Sequence, residues 1–230
     1  MKILAIVSRK GGAGKTTIAI HLAVAIEAIG FRVAVFDLDP QASAALWADR
    51  REGDSPAVVP AQAPRLAALL TQAREQAADL VILDTAPHAD SIASDSASHA
   101  DAILIPCRPS TLDLDAIGAS VRLAQGSGKP AYVVINAAPS QGEETAQMRT
   151  ALQSAGVSVS PVVLHQLKAF SSFIQEGRTA QEAQPKGKAA EEARELATWV
   201  CSKVIKILSK QNNKISKRQA NKTAVRESAA

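Results

Sequence analysis

Eight consecutive residues, Lys10-Gly11-Gly12-Ala13-Gly14-Lys15-Thr16-Thr17, place three glycines, two lysines and two threonines directly after an apolar run. Such a composition suits the capture of phosphate. Glycines let the backbone turn its N–H groups inward around anionic oxygens, and a helix starting there adds a favourable dipole. The segment fits the phosphate-loop pattern, two glycines framing four residues and then Lys and Thr, with Arg9 at the first glycine position. Lys15 would reach the β and γ phosphates of a nucleotide, and the Thr16 hydroxyl would hold Mg²⁺. A plain Gly-rich turn is the competing explanation. Seven specified positions at about 7% usage each make a chance match on the order of one in a million.

Two acidic features follow in the order such a site needs. Asp84 closes the run Leu80–Asp84 (LVILD), where a nucleotide-binding Asp would hold a magnesium-bound water. Asp37-Leu38-Asp39-Pro40-Gln41 follows another apolar run and brings two carboxylates to the same edge of a sheet. An Asp after a strand is often only a helix cap. Three features in sequence favour the nucleotide reading.

These residues need a scaffold of alternating strands and helices. Lys2–Ser8, Arg32–Asp37, Leu80–Asp84, Ala102–Pro106, Ala131–Asn136 and Val157–Leu164 read as strands. Helices are expected at Thr16–Ile29 and at about 41–51, 64–77, 111–125 and 143–155, then at Gln166–Gly177 and Lys188–Ser209. Segment 52–63, with Pro56 and Pro60, reads as a linker-like loop. The rhythm implies an α/β three-layer sandwich, a mostly parallel sheet with helices on both faces, as in P-loop NTPases.

Composition agrees. The chain has 230 residues, 47% hydrophobic and 21% charged, enough to bury a core and too apolar for general disorder. Aromatic residues reach only 3%, which disfavours an aromatic-rich sandwich and base-stacking recognition of single strands. No apolar run approaches the ~18 residues of a membrane span, and Met1–Ser8 is too short for a signal peptide. Cys107 and Cys201 form no metal spacing, and the expected location is cytoplasmic. Basic charge gathers at the end: Lys210, Lys214, Lys217, Arg218, Lys222 and Arg226 stand against Glu227 alone. Residues 1–208 are therefore read as one ATPase domain and 209–230 as a basic, disordered tail.

Lys10 ahead of Gly-Gly, the DxDPQ segment 37–41 and LVILDTAP at 80–87 resemble the ParA/MinD-type deviant Walker ATPases, and most of all short ParA-type partition proteins. The resemblance runs from Met1 to about Leu208, with sharp motifs only in the first 110 residues. It implies that Lys10 crosses a dimer interface to the partner's phosphates and that Gly11, Gly12, Ala13, Gly14, Lys15, Thr16 and Thr17 wrap ATP in cis. Asp39 would orient the attacking water, Asp37 would support the metal shell, and Asp84 would bind Mg²⁺ through water. Asn136 matches the position where relatives hydrogen-bond adenine, although an Asn at a strand end is also a common turn residue. Ser8-Arg9 and Ala86-Pro87-His88 depart from the familiar pattern without removing a catalytic group.

The function implied is ATP-dependent DNA partitioning: an ATP-driven homodimer binds non-specific duplex DNA and is released when a ParB-like centromere-binding partner stimulates hydrolysis. DNA contacts are expected among Lys168, Lys186, Lys188, Lys203 and Lys206, although each also reads as a solvated surface lysine. The protein would be nucleoid-associated. A similar ATPase positioning a non-partition cargo is an alternative. A MinD-like membrane switch is another, with Val204, Ile205, Ile207 and Leu208 as its only candidate membrane face. A biotin-pathway ligase ranks last, since such enzymes generally lack Lys10 and the DxDPQ segment. With the first strand at Lys2, no N-terminal helix-turn-helix is expected.

Overall fold

The computed structural model describes residues 1–205, apart from the side chains of residues 111, 112 and 114–116. Seven strands form one sheet: β1 (Lys2–Ile6), β2 (Val33–Asp37), β3 (Ala57–Pro60), β4 (Leu80–Asp84), β5 (Ala102–Cys107), β6 (Ala131–Ala138) and β7 (Val159–His165). Their order is β3-β2-β4-β1-β5-β6-β7 and every pairing is parallel. All strand C-termini thus share one edge, where ligands of open α/β sheets sit.

The central strands are continuous apolar runs because both their faces are covered. Side chains alternate between two cores. Leu4, Ile6, Val33, Val35, Leu80 and Ile82 enter one, and Ile3, Ala5, Ala34, Phe36, Val81 and Leu83 enter the other. The first core is roofed by α1 (Lys15–Ala28), α2 (Ser43–Ala48), α7 (Ala169–Ser172), α8 (Ala180–Ala183) and α9 (Lys188–Val200). The second lies beneath α3 (Leu66–Glu75), α4 (Asp90–His99), α5 (Thr111–Gly126) and α6 (Glu144–Ser154). Helix α1 is buried without a break from Ile18 to Ile26, packed between the sheet and α9. Its nearly uniform apolarity is the sequence's solution to that two-sided burial.

The three-layer expectation holds, with local corrections. Segment 52–63 is not merely a loop: Ala57–Pro60 pairs with β2 as an edge strand. Expected helix 166–177 is reduced to the single turn of α7 and a 3₁₀ turn at Ile174–Glu176. Helix α9 passes at Val200 into a π-helical turn over Cys201–Ile205, and residues 206–209 lie outside the described ones. Helices α4 and α8 had no counterpart in the periodicity. Both sheet edges carry proline, Pro60 on β3 and Pro161 on β7, and Arg149 donates to the carbonyls of Ser160 and Pro161 at 2.7 and 3.3 Å.

Candidate nucleotide-binding site

The phosphate loop leaves β1 at the carboxyl edge and enters α1 through Gly14, whose left-handed φ of 93° is natural only for glycine. No side chain caps α1. Among the described residues the backbone N–H groups of Gly11, Gly12 and Gly14 to Thr17 find no acceptor, so a row of donors is left open where a helix dipole begins. A Cβ on Gly14 would also collide with the amide of Asn136, which donates from Nδ2 to the Ala13 carbonyl at 2.7 Å.

Lys15 is 6% exposed and makes no ion pair or hydrogen bond among the described residues. Burial lowers its pKa from the usual value, and Asp84 and Asp39 pull it back up. Asp84 is fully buried and neither of its carboxylate oxygens has a hydrogen-bond partner. Burial pushes this carboxyl up to about 7; the nearby Thr16 hydroxyl offsets part of that without reaching hydrogen-bonding geometry, and Asp37 adds to it. The parallel register sets Asp84 opposite both Ile6 and Asp37, at one level beside the loop. Thr85 anchors this strand end, its hydroxyl donating to the Ile6 carbonyl at 2.9 Å.

Asp37 is different. Its carboxylate accepts from the N–H groups of Asp39, Ala44 and Ala45 at 3.1, 2.9 and 3.1 Å, so it serves as the cap of α2. Burial raises its carboxyl, and those three N–H groups oppose the rise. The helix-cap alternative is realised here, by a carboxylate that also stands opposite Asp84 in the parallel register. Asp39 is half-buried, accepts from the Gln41 N–H at 2.9 Å, and lines an open cavity of about 690 Å³ with Pro60, Arg65 and Ile92.

Lys10 is tied to α5. Its Nζ lies 2.9 Å from Oδ2 of Asp113, a residue buried in the first turn of α5 that also accepts from the hydroxyl of Ser110. Nothing in the sequence marked Asp113. Arg9 pairs with Asp90 of α4 at 3.0 Å. Cys107 ends β5 beneath this cluster; burial, then Asp113, pushes its thiol up to about 12, which suits an inert packing residue.

The lysines proposed for DNA are not one cluster. Lys168, Lys186, Lys188 and Lys203 are exposed. Lys186 and Lys188 lie at the N-terminal end of α9, where Lys188 approaches Glu192 at 3.8 Å. Glu192 also accepts from the backbone N–H of His165 at 2.9 Å and lies 2.7 Å from its ring Nδ1. Lys203 is beyond the far end of α9, roughly 20 Å away at 1.5 Å per residue. Lys206 and the tail 209–230 lie outside the described residues. Val204 and Ile205, offered as a membrane face, are 6% and 4% exposed and pack into the core; Ile207 and Leu208 are outside the described residues. Among the described residues no helix is long and apolar enough to cross a membrane.

Behind the loop, on the first core's side, a second polar cluster clasps α1 and α2 to the late segment. The buried His21 ring lies 2.9 Å from the Thr17 carbonyl through Nδ1, and its Nε2 accepts from the Ala180 N–H at 3.3 Å. These partners fix the proton on Nδ1. Arg51, stacked 4.5 Å from the Trp47 ring, donates to Ser55 and Gly177 carbonyls and bidentately to Glu182. The chain passes so close at Gly177 that a Cβ there would run into the Arg50 carbonyl.

Mg²⁺ fits the donor set. An orphaned buried carboxylate beside a Thr hydroxyl and a run of open N–H groups matches an ion held by one or two side chains and the substrate's phosphates. Among the described residues no group of three or more His, Cys, Asp or Glu is placed to hold a metal.

Comparison with known proteins agrees with this geometry. Residues 4–180 match the family described as the CobQ/CobB/MinD/ParA nucleotide binding domain. A maintenance of carboxysome distribution protein A from Gloeobacter kilaueensis is 34% identical over 197 residues, covering 84% of this chain and 88% of the relative. The protein of the same name from Halothiobacillus neapolitanus is 28% identical over 198 residues, covering 81% and 90%. Among solved structures, the ATP complex of a Cyanothece McdA variant superposes with a TM-score of 0.69 at 20% identity, over 87% of this chain and 96% of that one. The chain belongs to the CobQ/CobB/MinD/ParA nucleotide-binding family, as an ATPase of the ParA/MinD type.

Proposed function

We propose that this ATPase positions a cargo by nucleotide-gated binding to DNA: ATP pairs two subunits face to face, the dimer holds non-specific duplex DNA, and a partner protein on the cargo stimulates hydrolysis and release. The observation that carries the ATP-dependent step is the unpartnered Asp84 carboxylate beside a row of unclaimed backbone N–H groups. That is half of a charge arrangement, and a nucleotide with its cation supplies the other half. Relatives matched over most of their length are named for carboxysome distribution, which supports a protein assembly as cargo. A DNA molecule partitioned through a ParB-like protein would use the same cycle.

The roles follow from position. Lys15 and the N–H groups of Gly11 to Thr17 bind the phosphates. Thr16 and Asp84 would hold Mg²⁺, which when bound neutralises phosphate charge. Asp39 faces the open cavity and orients the attacking water. Lys10 must leave Asp113 before it can reach a partner's phosphates, so the pair at 2.9 Å is a resting contact. Asp37 acts through α2, whose start it fixes.

Light scattering and duplex-DNA retention, each with ATP or ADP, test the cycle. The expected result is an ATP-dependent dimer that retains DNA, lost in Lys10→Ala while ATP still binds each monomer. A normal dimer in Lys10→Ala removes the role in trans, and equal DNA retention with ADP removes the gating.

A further inference from the structure

We infer that Asn136 is a positioning residue for the phosphates: its side-chain amide holds the Ala13–Gly14 peptide and thereby aims the Gly14 N–H into the phosphate cradle. This rests on the nucleotide-site reading above and extends it, since the sequence resemblance gave Asn136 only a base contact.

The argument begins with an unusual strand end. Strand β6 loses its regular register with β7 twice, between Val133 and Ile135 and between Ile135 and Ala138. Between the latter two, Ala137 has φ 51°, a left-handed conformation that disfavours a residue with a Cβ. Irregularities of this kind re-aim a side chain, and they occur beside active sites. Here the neighbouring side chain is Asn136, on the α1 face with Val134, and it reaches the loop 123 residues earlier in the chain.

The contact is specific in chemistry. A backbone carbonyl only accepts, so the group 2.7 Å from the Ala13 oxygen must be the amide NH₂. In a trans peptide, C=O and N–H point in opposite directions. Holding the Ala13 oxygen toward Asn136 therefore sends the Gly14 N–H the other way. That N–H has no acceptor among the described residues and belongs to the loop that would cradle phosphate. Glycine at 14 is part of the same device, because the amide occupies the space where a Cβ would stand. With one N–H committed to Ala13, Oδ1 and the second N–H are what remains to meet a base.

A brace and a base reader predict different losses. Calorimetry would measure inorganic triphosphate, ATP and GTP binding to the wild-type protein, Asn136→Ala and Asn136→Asp. The aspartate keeps the shape and removes the donor but adds a charge that itself repels phosphate, so Asn136→Leu, which removes the donor at similar bulk without charge, is measured beside it and must show the same factor. The brace predicts that each variant weakens triphosphate and ATP by the same factor, about tenfold for one lost buried hydrogen bond in a charged site. ATP that weakens while triphosphate affinity stays unchanged would overturn the inference in favour of base reading. Unchanged affinity for both would overturn it as well, and so would a lowered melting temperature with unaltered affinities. Failure of the wild-type protein to bind triphosphate or ATP would instead remove the nucleotide-site reading on which this stands.

Discussion

Two buried polar clusters flank the first turns of α1, and they are built on opposite principles. On the phosphate side, Lys15 and Asp84 are buried without partners among the described residues, and a row of N–H groups has no acceptor there. On the clasp side, His21 uses both ring nitrogens and Arg51 is engaged at Nε, Nη1 and Nη2, while Gln181 Oε1 has no partner among the described residues. An unsatisfied buried polar group costs stability, so it persists where a ligand completes it. A satisfied network fixes one arrangement of the chain. The contrast separates polar groups left open beside the loop from polar groups that hold one shape of the chain.

The sharpest break is between Lys15 and Arg51. Lys15→Ala should weaken ATP by roughly a thousandfold, since the phosphates lose their buried cation, and should leave the melting temperature near its original value. Arg51→Ala should do the reverse: about 1–2 kcal/mol of stability lost with the Trp47 stacking and the Gly177 and Glu182 contacts, with ATP affinity of the folded protein within about twofold. Calorimetry and thermal melts on both variants decide it. Matching losses in the two assays would erase the distinction.

Asp84 gives the next test, through pH. Its carboxyl is raised from an ordinary 3.8 to about 7 by burial, so ionising it in the ligand-free protein opposes folding. Stability from this group is intact below the ordinary range and is lost as pH rises toward 7. Asp84→Asn should flatten that decline, gaining up to about 3 kcal/mol at neutral pH while abolishing Mg²⁺-dependent hydrolysis. Denaturant titrations at pH 5 and 8 would show it; a variant less stable than wild type at pH 8 would contradict an orphaned charge.

His21 has the opposite sign and a smaller effect near neutrality. Burial lowers its pKa from 6.5 to about 4, so its contribution is complete above 6.5 and is lost as pH falls toward 4. Near pH 5.5 the loss should be roughly 1 kcal/mol, absent in His21→Gln. Asp39→Ala should leave the His21 curve unchanged and ease the rise at Asp84 only slightly, keeping ATP affinity and slowing turnover, as a phosphate-release assay would record.

Legibility followed the same division. The loop and Asp84 were plain because their residue types and spacing are dictated by phosphate and cation chemistry. Strand β3 was hidden: four residues, none of them fully buried, flanked by Pro56 and ending at Pro60, look like a turn until β2 supplies its hydrogen bonds. Helix α4 (DSIASDSASH) buries only Ala93, Ser96 and Ala97, too little for a periodic signal. Asp113 and the Arg51–Glu182 pair depend on residues 103 and 131 positions apart meeting in space. Asp37 shows a motif residue whose observed contacts are local: it caps the next helix.

The sheet's borders set a rule for how copies of this chain can associate. Open strand edges invite further strands, and that is how many β-rich chains polymerise. Here Pro60 and Pro161 each withhold an N–H from the outermost strands, and Arg149 occupies two carbonyls of the border at β7. Lateral growth of the sheet from one molecule to the next is thereby closed at both ends. Copies crowded together would meet through helices and loops, and they would separate without having to unzip a continuous β-ribbon.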